Sequence, residues 1–295
     1  MTRSSASRSG FTARAEPPLS LLLLLGLALT SAGACSDPTD VQLFPGQCGP
    51  FEVVRWVPAG LSRGVPTNTP IDLYFSDYPD PDTLGPTSLL LTTGVYYHVG
   101  TYSADLITKR VRFRTPGSLR TFLGYSINVT STLRSLQGCP TSMQERNFET
   151  GGGPSTDPAP ATAPTFDAVL PVFARSCAGG ACHRGIEDDN GGCLAAPAAG
   201  LSLCDAQAFD DLVGVRSRQL SRLLRVAPHD SSRSYLLRKL LPASGVDPDS
   251  APRVPTTLGH RDPPGAVLPP EDLRLIADWI DGGAARSAPD MTPPP

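Results

Sequence analysis

The sequence predicts two modules, an all-β sandwich followed by a smaller, mainly α module. Three observations carry this. Short β-rich runs, evenly spaced and separated by turn signals, fill residues 50–149. A stretch rich in glycine and proline, "TGGGPSTDPAPATAP", follows at 150–164 and reads as a spacer. After residue 165 the apolar period changes from two to that of a helix. Proline and glycine number 32 and 28 in 295 residues. That share exceeds the usual total of about 12% and predicts many turns and little continuous helix. The formal net charge of −3 gives no electrostatic basis for nucleic acid as a partner.

The first 34 residues read as an export signal. Arg3, Arg8 and Arg14 form a basic start, and Leu19–Leu29 is an apolar run too short to cross a bilayer comfortably. Ala32-Gly33-Ala34 is a small-residue cleavage site, followed by Cys35. The segment resembles a bacterial lipoprotein signal, which implies lipid on Cys35 and an anchor in the membrane. Ala32 stands where that family prefers leucine. There are seven cysteines, an odd number for an exported chain. Lipid on Cys35 would leave six, and an oxidising compartment permits them to pair. Residues 35–49 form a tether.

The strands are expected at "FEVVRWV" (51–57), "IDLYF" (71–75), "SLLLTT" (88–93), "VYYHVGTYS" (95–103), "KRVRFR" (109–114) and "YSINVT" (125–130). Cys48 precedes the first strand and Cys139 follows the last, so the two are expected to pair. Closing a loop of about 90 residues is worth roughly 4–5 kcal/mol in the chain-entropy model. Asn128-Val129-Thr130 is a glycosylation acceptor by pattern alone. "GVPTNTPIDLYFS", "RVRFRTPGSLRTFLGYSINVT" and the ending "NFETGG" resemble the bacterial Ig-like domains of surface-layer and exported proteins. That resemblance implies a spacer or adhesive module without catalytic residues.

In the second module, residues 165–285, "TFDAVLPVFARSC" places Phe166, Val169, Leu170 and Phe173 at helical spacing, with Pro171 limiting its regularity. "AFDDLVGV" and "SYLLRKLL" follow. "PPEDLRLIADWIDGGA" is the strongest helix, with Pro270 in its first turn, Glu271 and Asp272 near its positive end, and Gly282-Gly283 as its stop. A disordered tail is expected over 286–295.

Chemistry is concentrated in "RSCAGGACHRG", residues 175–185. Cys177 and Cys182 can tether a haem through thioethers, with His183 beneath the iron, although the usual spacing is C-x-x-C-H. Zinc is a second option, but Cys193 and Cys204 do not form a second close pair. Disulfides among Cys177, Cys182, Cys193 and Cys204, with His183 a bystander, are the third. No G-x-S-x-G, H-E-x-x-H or P-loop motif is present. The aspartates 188, 189, 210 and 211 read as solvated charges.

The succession "VFARSCAGGACH", "FDDLVGV", "LRVAPHDSSRSYLLRKL" and "PPGAVLPPEDLRLIADWIDGGA" resembles the cytochrome c-like domains of planctomycete and myxobacterial exported proteins. By that likeness Cys177 and Cys182 would hold haem c, His183 would bind iron, and Cys193 and Cys204 would make a local disulfide. The family's segment reads V-x-P-G-D-P-x-x-S-Y-L where this chain has "VAPHDSSRSYL". Its distal methionine is replaced by Asp262, so His260, with His229 behind it, is the candidate second ligand. Two functions follow as expectations. One is an exported, lipid-anchored, periplasmic or cell-surface electron carrier with an unidentified redox partner in the cell envelope. The alternative is a non-redox structural or adhesive lipoprotein whose cysteines form disulfides.

Overall fold

Alternating apolar residues build two facing antiparallel sheets. The computed structural model describes residues 48–156, 162–177, 183, 193, 200–218, 220–241 and 268–287. The first sheet has the order β1 (Val53–Val57), β2 (Ile71–Phe75), β6 (Arg110–Arg114), β5 (Thr101–Asp105). The second has the order β4 (Tyr96–His98), β3 (Leu89–Thr93), β7 (Gly124–Val129), β8 (Gln144–Glu149). Ile71, Leu73, Val111 and Phe113 face Leu89, Leu91, Ile127 and Val129 across a closed core. The disulfide Cys48–Cys139, Cα atoms 5.3 Å apart, ties the chain before β1 to the loop before β8.

The run expected as one strand over 95–103 divides into β4 and β5, which lie in different sheets. Gly100 makes the crossing possible. A Cβ there would stand 2.5 Å from both the Arg114 carbonyl oxygen and the Phe113 ring, closer than real side chains approach. β8, "QERNFE", was not anticipated as a strand. Only Phe148 of its six residues is buried, so no alternation is visible.

Residues 150–155 are bonded to the sandwich. Gly151 N–H donates to the Val65 carbonyl, Thr67 N–H to the Gly153 carbonyl, and Ser155 N–H to Asn68 Oδ1.

The second module contains α1 (Phe166–Ser176), α2 (Ala208–Leu212), α3 (Tyr235–Leu240) and α4 (Pro270–Asp281). α1 runs unbroken through Pro171. Its buried face, Phe166, Val169, Val172 and Phe173, meets Leu273, Ile276 and Trp279 of α4. Phe166 stands 5.4 Å from Trp279 and 5.3 Å from Phe209 between ring centroids. Trp279 is fully buried, and its indole N–H donates to the Ala285 carbonyl at 3.0 Å. Arg175 pairs with Asp272, joining α1 to the first turn of α4. The fold is therefore a β-sandwich with a few short helices in the second module.

The two modules are in direct contact. Tyr78, Leu106 and Leu136 of the sandwich share one buried cluster with Leu237, Leu241 and Ala277. Around it, Arg233 Nε donates to Asp82 Oδ1 at 3.1 Å, and Arg274 Nη2 lies 3.2 Å from Asp105 Oδ2. Arg238, its side chain 1% exposed, donates from Nε to the Ser232 carbonyl. Its Nη2 lies 3.9 Å from Asp80 and 4.0 Å from Asp82. Burial holds the Arg238 guanidinium below, and the Asp80 carboxyl above, their ordinary pKa values.

Candidate functional site

Cys177 is the C-cap of α1, where its N–H donates to the Phe173 carbonyl. It is half-buried and packs against the α1–α4 core. His183 is also half-buried, and its carbonyl accepts from Leu203 N–H at 2.7 Å. Cys193 and Cys204 are joined by a disulfide, with Cα atoms 6.2 Å apart. Cys35, Cys182, His260 and Asp262 lie outside the described residues.

Of the three residues that would hold a haem, Cys177 and His183 are described and Cys182 is not. The core against which Cys177 packs includes Phe166, Phe173 and Trp279, whose rings pack on one another. Two of the sulfurs that a metal reading can draw on, those of Cys193 and Cys204, are bonded to each other. Among the described residues no three His, Cys, Asp or Glu side chains converge to hold a metal ion.

What the described residues do build is a polar cleft of about 610 Å³ between the modules. One wall is β5, from Tyr102 to Asp105, with Arg110 beside it. The facing wall is the turn His229–Arg233 and the outer side of α4, with Arg274, Asp278 and Asp281. Each side chain has a local reason for its position. Asp230 Oδ1 accepts from Arg233 N–H at 3.0 Å, so it caps the 3-10 turn Ser231–Arg233. Asp281, in the last turn of α4, accepts from Ser231 N–H at 2.8 Å and Ser231 Oγ at 3.0 Å. Asp105 holds the N–H groups of Ile107 and Thr108 and pairs with Arg110 at 3.4 Å and Arg274 at 3.2 Å. Most charges in the cleft thus face an opposite charge.

His229 lines this cleft with a φ of 68°, in the left-handed region. Glycine is the residue that adopts that conformation without cost. The His229 ring lies over Gly283, where a Cβ would come within 2.7 Å of it. Among the histidines considered as ligands, His229 is therefore a cleft residue. The other cleft residues carried no signal in the sequence, because they are single charges scattered over some 180 positions. The one local hint was "PHDSSR", an Asp-Ser-Ser cap that marks a turn.

Residues 49–150 match the family model of the bacterial Ig-like domain. The sandwich is a bacterial Ig-like domain. It accounts for about a third of the chain. The chain is also similar in part to solved structures. Domains 1–6 of the surface layer protein SbsC share 12% identity at a TM-score of 0.29, over 40% of this chain and 15% of that one. PcoC, a methionine-rich copper resistance protein from Escherichia coli, shares 16% at 0.29, over 35% of this chain and 99% of that one. CopC from Methylosinus trichosporium OB3b shares 14% at 0.27, over 37% and 99%. Likenesses this partial carry no functional argument. No curated protein matches the chain. Among the described residues, no helix is long and apolar enough to cross a membrane.

Proposed function

We propose that this is an exported structural or adhesive protein of the cell surface, tethered by lipid on Cys35, with no redox cofactor. One observation carries the reading. The Ig-like domain is docked onto the helical module through a shared buried cluster and cross-module ion pairs. Such a unit can present the surfaces of both modules together. The Ig-like domain and the two disulfides support it, because disulfides persist in oxidising compartments.

The test is expression with the native signal in a Gram-negative host that carries c-type haem-attachment machinery. The expected product is colourless, sediments with membranes, and becomes soluble in the Cys35→Ser variant. Its intact mass should show at least two disulfides. A Soret band, with a mass increment of one haem that disappears in Cys177→Ser, would replace this reading with the electron carrier.

A further inference from the structure

We infer that the end of the sandwich farthest from Cys48 docks on an anionic phospholipid bilayer, with apolar loop tips entering the headgroup layer between exposed arginines. The inference rests on the exported, lipid-tethered reading above and names the surface that the free end would grip.

The strand pairings define two ends. β3 turns into β4 through Gly94 and Val95, level with the start of β7, because Thr92 pairs with Ser126. The β1–β2 and β6–β7 loops open at this same end, where Leu119 N–H donates to the Thr67 carbonyl. Cys48 lies at the opposite end, with the start of β1 and its partner Cys139. The helical module meets that opposite end too, through Tyr78, Leu106 and Leu136. The free end carries Val95, Tyr96 and Phe122, each 73% exposed or more. Leu61, 84% exposed, flanks them, its N–H bonded to the Asn147 carbonyl near the end of β8. At ordinary strand spacing the row from β4 to β8 is roughly 15 Å wide.

Folding does not account for these side chains. Phe122 and Leu61 hold φ of 51° and 62°, left-handed conformations that cost a bulky residue free energy. Neither belongs to the core, so glycine would serve the fold better at both positions. Charge selects the partner. The three loops, 58–70, 94–100 and 115–123, contain Arg63 and Arg120 and no Asp or Glu. Arg114, the last residue of β6, is exposed beside them. Arg63 meets Glu149 at 3.8 Å, whereas Arg114 and Arg120 have no ion pair among the described residues. Cations set among apolar tips match an anionic bilayer, where arginine meets phosphate and the tips reach the acyl boundary. Tyr96 suits the headgroup level in the same way. Tips on separate loops also suit a fluid layer, because lipid fills the spaces between them. A rigid protein partner would need a matching pocket for each. The contact need only be weak, since lipid on Cys35 supplies the second anchor. The chain from Cys35 to Cys48 spans up to roughly 45 Å when extended, enough for the free end to turn to the bilayer that holds the lipid. Salt releases such a contact, so the Cys35→Ser chain stays extractable.

The test uses the exported Cys35→Ser chain, which carries no lipid of its own, and sedimentation with vesicles of phosphatidylcholine containing one-third phosphatidylglycerol. Binding is expected at low salt, and at least about tenfold weaker on pure phosphatidylcholine or at roughly 0.5 M salt. Phe122→Gly should bind at least about tenfold more weakly. It should melt no lower than the parent, because glycine fits the left-handed backbone. Arg114→Gln combined with Arg120→Gln should lose the preference for phosphatidylglycerol. Phe122→Trp should keep binding, and brominated phosphatidylcholine should quench the added tryptophan. No sedimentation with either vesicle would overturn the inference, as would equal binding by Phe122→Gly. So would a parent chain that dimerises in solution and separates in Phe122→Gly, which would assign the tips to a second copy. A colourless, disulfide-bonded protein tethered through Cys35 that ignores the vesicles removes this inference and leaves the proposed function standing. A haem-loaded protein removes that function whatever the vesicles do.

Discussion

Position 283 shows how single residues hold the cleft in shape. Gly283 has φ of 103°, and its missing Cβ makes room for the His229 ring. Gly283→Ala is expected to cost about 1–3 kcal/mol, from the backbone conformation and from displacement of the ring. Urea unfolding measures it. Asp80 gives a pH signature. Burial raises its pKa in the folded chain, so the folded state keeps a proton that the unfolded state has lost above about pH 4. Its contribution is therefore full below the unfolded value and is lost as pH rises through the folded one. In Asp80→Asn that slope should vanish, so the wild type should gain on the variant as pH is lowered from 7 to 4. Urea midpoints across that range measure the difference, and a constant difference would contradict it. Little at this scale was legible in the sequence. Asp80 stands between two prolines and Gly283 at a helix stop, and only the packed structure shows which side chains they face.

Among the elements, the strands were readable where one face is buried. "IDLYF" and "YSINV" alternate because Ile71, Leu73, Tyr125 and Ile127 face a core. β8 was missed because five of its six residues lie outside that core, and the β4–β5 break was missed because the apolar run continues through it. α4 was the clearest helix, since its Pro270 start, acidic first turn and glycine stop all agree with its apolar face. Trp279→Ala should cost about 3–5 kcal/mol, because it empties the centre of the α1–α4 contact and removes one of the two donors to the Ala285 carbonyl, which keeps Phe166 N–H. Calorimetry would show it. Opening Cys48–Cys139, whose residues are 91 apart, should cost up to about 4–5 kcal/mol, and Cys193–Cys204, 11 apart, about 3 kcal/mol or less. Cys48→Ser and Cys193→Ser, each combined with its partner's substitution, separate the two by denaturation midpoint.

At the scale of the whole molecule, the spacer composition divided the chain into two modules without showing whether they touch, and the structure brings them into contact. Contacts between distant segments leave no mark in local composition. The partners of Leu106 lie about 130 and 170 residues away. Arg238→Ala should weaken this junction by about 2–3 kcal/mol, since it removes the buried guanidinium that faces Asp80 and Asp82 of the sandwich, together with its bond to the Ser232 carbonyl. The chain's two tryptophans fall one in each module, Trp56 in β1 and Trp279 in α4, which makes docking measurable. In the Trp56→Phe variant, Trp279 fluorescence reports the helical module alone, while amide hydrogen exchange of the β2 and β6 segments, read by mass spectrometry, reports the sheets. Under urea the two should trace one transition with one midpoint, as a single cooperative unit does. If the tryptophan signal is lost at lower urea while the sheet signal persists, the modules are independent and the docked platform proposed here does not exist.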